Sequence, residues 1–234
     1  MAEPVLIMGQ SGTGKSTSLR NLNPAETIII SPNAKSLPFK GGRAKYIKGK
    51  NFFNSNNLDA IQKTIAKISK DMPDIKQVII EDFTHFFSAR IFSDEFLSRN
   101  SGGEAFQRWN EFGASVYQAI FSEAQNWRED LIIGVIHHTE VKDDGTVGFK
   151  SAGKLLDNTI DFPSYFTWIF HTLVMQKDEG AQYVMQTNRS AGRHAKSPME
   201  AFDDLYIPND LNEIFSTIRA YNVGEESAVV KTNK

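Results

Sequence analysis

Eight residues, Gly9-Gln10-Ser11-Gly12-Thr13-Gly14-Lys15-Ser16, stand between an apolar run, Pro4 to Met8, and a short helix-patterned segment, Lys15 to Leu22. Glycine adopts positive φ without steric cost, so the loop can turn successive backbone N–H groups inward. The helix start behind it adds partial positive charge. The spacing G-x-x-x-x-G-K-[ST] in a strand–loop–helix context is that of a phosphate-binding loop. Lys15 is expected to reach the β- and γ-phosphates of a nucleoside triphosphate, and Ser16 to ligate Mg²⁺. Gly9, Gln10, Ser11, Gly12, Thr13, Gly14 and Thr17 complete the expected contacts, with ATP and Mg²⁺ as the cofactors. Such a loop also requires a βα unit at the head of the chain.

The rest of the chain continues the alternation. Thr27 to Ile30 reads as a second strand, and Leu58, Ile61, Ile65 and Ile68 repeat at helical spacing after the cap region Asn56-Asn57. That helix feeds a strand at Val78 to Ile80. Phe106, Trp109, Phe112, Val116, Ile120, Ala124 and Trp127 predict one long helix over 105–127, with the aromatic stripe facing a core. Leu131 to Ile136 is a continuous apolar run, as in a strand covered on both faces. Beyond it, Asp143-Asp144-Gly145 and Lys177 to Gly180 are turn-like, which predicts antiparallel strands at Tyr165 to Met175 and Gln182 to Thr187. Leu211, Ile214, Phe215, Ile218 and Tyr221 predict a last helix, started by Pro208-Asn209-Asp210. The fold class is therefore α/β, a mainly parallel sheet flanked by helices with antiparallel strands added near the C-terminal side. One domain over 1–223 and a polar tail over 224–234 account for the 234 residues.

Val78-Ile79-Ile80-Glu81-Asp82 places two acids at the end of a buried strand, the layout of a Walker B element. One acid would serve the Mg²⁺ shell and the other would orient or deprotonate water; spacing leaves open which of Glu81 and Asp82 does which. In a parallel sheet the C-terminal ends of strands converge on the ligand, so the pair His137-His138 offers a γ-phosphate sensor, His138 being preferred. The chain has no cysteine, which excludes disulfides, zinc–thiolate sites and thiol nucleophiles. Neither a signal-peptide pattern nor an apolar stretch of membrane-spanning length stands out, so a cytoplasmic protein with no membrane partner is expected. The net charge of −2 confines any nucleic-acid binding to local basic patches. One such patch lies between Asn33 and Leu58, where Lys35, Lys40, Arg43, Lys45, Lys48 and Lys50 occur without an acid. Phe39, Tyr46, Phe52 and Phe53 are interleaved with them. Cationic residues and aromatics together suit single-stranded DNA, although the same composition fits a solvated loop whose aromatics pack on the core.

With these elements in place, the chain resembles the phage RecA-like P-loop ATPases known as phage nucleotide-binding proteins, which include single-strand annealing recombinases. The resemblance rests on Leu6 to Thr17, Ser36 to Gly41, Val78 to Phe83, His138, Gly153-Lys154-Leu155-Leu156-Asp157, Ala195-Lys196-Ser197-Pro198 and Ile207 to Leu211. It implies an ATP hydrolase that binds single-stranded DNA and acts in homologous recombination or strand annealing. It further implies self-assembly into a ring or filament and a single-strand-binding protein as an additional partner. The relatives place Asp where Glu81 stands and an acid in the region of Asn33, so the division of labour between Glu81 and Asp82 stays open. RecA-like ATPases commonly complete their sites across a subunit boundary. This makes Arg193 and Lys196, then Lys154, candidates for a cation acting in trans, with Arg189 and His194 in the same basic cluster. Two other readings of the phosphate loop are an ATP-switched assembly module with little turnover and a P-loop kinase.

Overall fold

The structure, a computed structural model, describes residues 1–33, 35–99, 102–178 and 180–225. In chain order its elements are β1 (Glu3–Gly9), β2 (Thr27–Ser31), α1 (Gly42–Lys45), β3 (Phe52–Asn54), α2 (Leu58–Asp71), β4 (Gln77–Ile80), α3 (Thr84–Ile91), α4 (Asp94–Ser98) and α5 (Gly102–Tyr117). They continue with β5 (Ile132–Val141), β6 (Val147–Phe149), α6 (Lys154–Asp157), β7 (Trp168–Lys177), β8 (Gly180–Gln186), β9 (Tyr206–Pro208) and α7 (Leu211–Val223). The sheet runs β3-β2-β4-β5-β1-β7-β8-β9, with β6 hairpinned onto the end of β5. From β3 to β7 all neighbours are parallel; β6 and β8 are the antiparallel additions that follow the two turns, and β9 is a third that the sequence did not mark.

Strand side chains alternate between two cores. Leu6, Met8, Ile80 and Val135 face α2 and α5, meeting Ile61, Ile65, Phe112 and Val116. Val5, Ile7, Ile79 and Ile136 face α7, meeting Leu211, Ile214, Phe215 and Ile218. Gly134 lets α7 approach: a Cβ there would lie 2.8 Å from Ile79 Cδ1 and 3.1 Å from Phe215 Cζ. Because both faces of β1 and β4 are covered, these strands are buried throughout. The register sets Met8 beside both His137 and His171, so the loop leaving β1 lies between β5 and β7, which run on past it to Val141 and Lys177.

Several local expectations need correction. The single helix expected over 105–127 is α5, then a wider π turn at Gln118–Ser122 and a 3₁₀ turn at Ala124–Asn126. It ends where the Ala124 carbonyl accepts from Ala2 N–H at 2.9 Å, a tertiary contact that periodicity does not register. Phe106, expected inward, is exposed, while Trp109 packs edge-on against Phe96 at 4.9 Å. The helix after the phosphate loop is a 3₁₀ turn, Ser16–Asn21, wound tightly enough that Ser18 N–H reaches both Gly14 O and Lys15 O. Among the described residues no helix is long and apolar enough to cross a membrane. From residue 226 on, the expected tail lies outside the described residues.

Candidate nucleotide-binding site

The glycine loop leaves the end of β1 with Gly12 and Gly14 at φ of 81° and 92°, a region open to glycine at little cost. A Cβ on Gly14 would lie 2.3 Å from Asn209 Nδ2 and 2.8 Å from Tyr183 Cδ1, so backbone conformation and packing both demand glycine. Asn209 is buried and donates through Nδ2 to Gly14 O at 3.0 Å. Its neighbour Asp210 caps α7 by accepting from Asn212 N–H at 3.0 Å, and it also accepts from Asn21 Nδ2 at 2.5 Å. The start of the last helix is thus bonded to the loop and to the turn that follows it. Thr13 is held by Thr172 on β7, hydroxyl to hydroxyl at 2.6 Å.

Lys15 is buried, with Nζ donating to Gly9 O at 2.8 Å and to Gln10 O at 2.7 Å. Burial lowers its pKa to about 8, against the opposing pull of Glu81 and Asp82. Ser16 Oγ donates to Glu81 Oε1 at 2.5 Å. The second oxygen, Glu81 Oε2, is buried without a hydrogen-bond partner among the described residues. Burial raises the carboxyl to about 7, only partly offset by the Ser16 bond. Asp82 follows at φ 57°, a left-handed conformation uncommon for a residue with a side chain. That turn aims its carboxylate away from Ser16. Its Oδ1 lies 3.3 Å from His138 Nε2, and its Oδ2 accepts from Asn33 Nδ2 at 3.3 Å and lies 3.7 Å from His85 Nε2. The His138 contact is the largest cause that brings Asp82 down to about 2.

The two histidines lie within β5, which continues beyond the expected strand end at Ile136 to Val141, and they separate in role. His137 is fully buried, stacked on Phe149 with centroids 3.6 Å apart, and burial lowers its pKa to about 3. Thr84 accepts His138 N–H at 2.9 Å, leaving its hydroxyl proton for His137 Nδ1 at 3.2 Å; His137 Nε2–H then donates to Lys150 O at 2.7 Å. His137 is therefore a neutral structural group, and His138 is the one that borders the loop's cleft.

The cleft has a volume of about 390 Å³ and is walled by Gly12, Lys15, Ser16, Glu81, Asp82 and His138, with Thr17, Lys35 and Tyr183 at its margins. Ser16 and Glu81 present oxygens side by side, a donor set suited to a hard cation such as Mg²⁺, and the unpartnered Glu81 Oε2 is a further oxygen for its shell. Lys35, which the sequence groups with the cations suited to DNA, lies at this cleft. Arg43 and Lys48 border a neighbouring hollow of about 210 Å³ that shares Lys35, Ser36 and Leu37 with it. Lys40, Lys45 and Lys50 are exposed, Lys45 reaching Arg20 O at 2.7 Å. Of the interleaved aromatics, Tyr46 is buried, Phe39 and Phe52 pack on the core, and Phe53 is the most open.

Lys154, Arg193 and Lys196 do not line the cleft. Lys154 begins α6; Arg193 bridges to Val147 and Ser190 through its backbone; Lys196 pairs with Ile169, level with Leu6 and so below the loop. Arg189 and His194 border a second, larger cavity of about 420 Å³ together with Lys142, Phe149 and Asp161. Size does not favour this cavity as the phosphate site, because the glycine loop, Lys15 and both acids lie in the smaller one. Sequence reasoning missed His85, Asn209 and Thr172. His85 stands three residues after Asp82, on a helix that the apolar pattern does not mark. Asn209 and Thr172 meet the loop only through tertiary folding.

No family model and no curated protein matches the chain. Among solved structures it is similar to the KaiC-like protein PH0186 from the hyperthermophilic archaeon Pyrococcus horikoshii OT3. That similarity has 11% identity, covers 84% of this chain and 82% of that one, and has a TM-score of 0.44. A likeness at that level decides nothing about chemistry.

Proposed function

We propose that the protein is a Mg²⁺-dependent ATPase of RecA-like type that assembles with itself and acts on single-stranded DNA in recombination or annealing. The observation that carries the ATPase reading is the division of the two acids. Glu81 is bonded to Ser16, and Asp82 is turned toward His138 and Asn33. In this reading Ser16 and Glu81 would hold Mg²⁺, which would supply charge neutralisation for the phosphates. The glycine loop's N–H groups and Lys15 bind the phosphates. Asp82, ionised and fixed, orients the attacking water, and His138 senses the γ-phosphate.

Two observations support the DNA part alongside the resemblance. All six basic residues of the 35–50 segment are exposed, and Lys35, Ser36 and Leu37 border both the nucleotide cleft and the basic hollow. A strand lying across that hollow would touch residues that also touch the nucleotide, which couples the two ligands. The deciding experiment is steady-state phosphate release with Mg²⁺, with and without single-stranded DNA. Release is expected in the wild type, rising with DNA. In Asp82→Asn it should fall by ~10² or more while nucleotide affinity stays within a few-fold. Absence of Mg²⁺-dependent release from the wild type would instead favour an ATP-switched assembly module.

A further inference from the structure

On the side of Asp82 away from Ser16, three potential metal ligands from three elements come together. Asp82 lies on the turn after β4, His85 in the first turn of α3 and His138 on β5. One donor atom from each lies within 4.8 Å of the other two, and the contacts to Asp82 are 3.3 Å from His138 Nε2 and 3.7 Å from His85 Nε2. With metal–ligand bonds of about 2.1 Å, neighbouring donors around a tetrahedral or octahedral ion stand roughly 3.0–3.5 Å apart. The two spacings to Asp82, one to each carboxylate oxygen, approach that range.

The framework behind these side chains is fixed. Thr84 ties the start of α3 to β5 by accepting His138 N–H, which sets His85 next to His138 with ring centroids 6.5 Å apart. Asp82 keeps a left-handed backbone, and uncommon conformations of this kind tend to persist where function requires them. The His85 side chain is 47% exposed and that of His138 26%, so an ion can arrive from solvent. Two imidazoles and one carboxylate prefer borderline transition ions, whereas Mg²⁺ prefers the oxygens that Ser16 and Glu81 provide.

We propose that Asp82, His85 and His138 bind a divalent transition ion of the zinc class, at a site separate from the Ser16–Glu81 position suited to Mg²⁺. Once bound, the ion occupies the Asp82 oxygens and His138 Nε2. Resting on the ATPase reading above, this makes it a brake: hydrolysis slows while nucleotide stays bound, because the glycine loop, Lys15 and Ser16 are untouched.

The test titrates Co²⁺ into the full-length, nucleotide-free protein in excess Mg²⁺, read by visible absorption and calorimetry. One ion per chain is expected, competed off by Zn²⁺. His85→Ala should weaken it at least tenfold and Asp82→Asn likewise, with circular dichroism confirming that both variants fold. His85→Gln guards against a packing effect of the smaller residue. Glu81→Gln should keep wild-type Co²⁺ affinity; an equal loss there would move the ion to the Mg²⁺ position and overturn the proposal. So would the absence of stoichiometric Co²⁺ binding by the wild type, or unchanged binding in both His85 variants. Since this binding needs no nucleotide, a protein that takes up Co²⁺ but releases no phosphate would refute the ATPase reading and leave the site standing. If phosphate is released, Zn²⁺ should inhibit the wild type and spare His85→Ala.

Discussion

Glu81 combines a buried position with one oxygen bonded to Ser16 and the other unpartnered. Its carboxyl is raised from 4.5 to about 7 chiefly by burial, so between those pH values the folded protein holds a proton that the unfolded chain releases. The stabilisation is complete below the unfolded value and is lost as pH climbs through the folded one. Well above pH 7 the ionised side chain costs stability on the order of 3 kcal/mol. Glu81→Gln keeps an oxygen for the Ser16 bond and removes that cost. Urea unfolding without Mg²⁺ should therefore show the variant more stable than the wild type at pH 8, with the gain disappearing by pH 4.5. A gain of the same size at both pH values would mean that packing, not charge, distinguishes the two. Asp82, one residue on, behaves oppositely: its neighbours, His138 first, bring it down to about 2, which favours its ionised form. Two adjacent carboxyls are thus driven apart by which way each side chain points.

At the scale of elements, the start of α7 connects the second core to the phosphate loop. Asp210 caps the helix and Asn209 holds Gly14 O. Asp210→Ala should cost about 1–2 kcal/mol in chemical denaturation. Asn209→Ala should cost a similar amount and should also weaken nucleotide binding, an effect the cap variant lacks or shows less. Equal nucleotide affinity in wild type and Asn209→Ala would separate the clamp from the loop's binding geometry. The sequence made the loop, β1, β2, α2, β4, the β5 core and α7 legible, because each carries an apolar period or a cap that acts locally. It also placed Glu81, Asp82 and His138 beside the loop, where the structure has them, although β5 runs on past His138 to Val141 rather than ending there. What stayed illegible depends on partners distant in the chain. The segment after Tyr117 turns to π and 3₁₀ winding and closes on Ala2 through the Ala124 carbonyl, and Asn209 and Thr172 reach the loop from far along the chain. The left-handed backbone at Asp82 is likewise a feature that no spacing rule anticipates.

For the whole molecule, charge and assembly decide the predictions. Single-stranded DNA affinity should fall steeply with salt, and neutralising Lys45, Lys48 and Lys50 together should flatten the slope by roughly 0.7 for each DNA phosphate that no longer meets a cation. An unchanged slope would leave the segment a solvated loop. Catalysis in trans is tested by mixing Lys15→Ala with Lys196→Ala, then with Arg193→Ala and Lys154→Ala, under subunit exchange. Partial recovery of phosphate release is expected from at least one pair, since some interfaces then join an intact loop to an intact cation. No recovery, with exchange verified, argues that each site is complete within its own subunit. The bond between Asn209 and Gly14 spans 195 positions of sequence. During synthesis the glycine loop leaves the ribosome well before the residue that clasps it. A nascent chain should therefore grip nucleotide weakly until α7 has emerged and docked, so that full ATP affinity reports that these two distant segments have met.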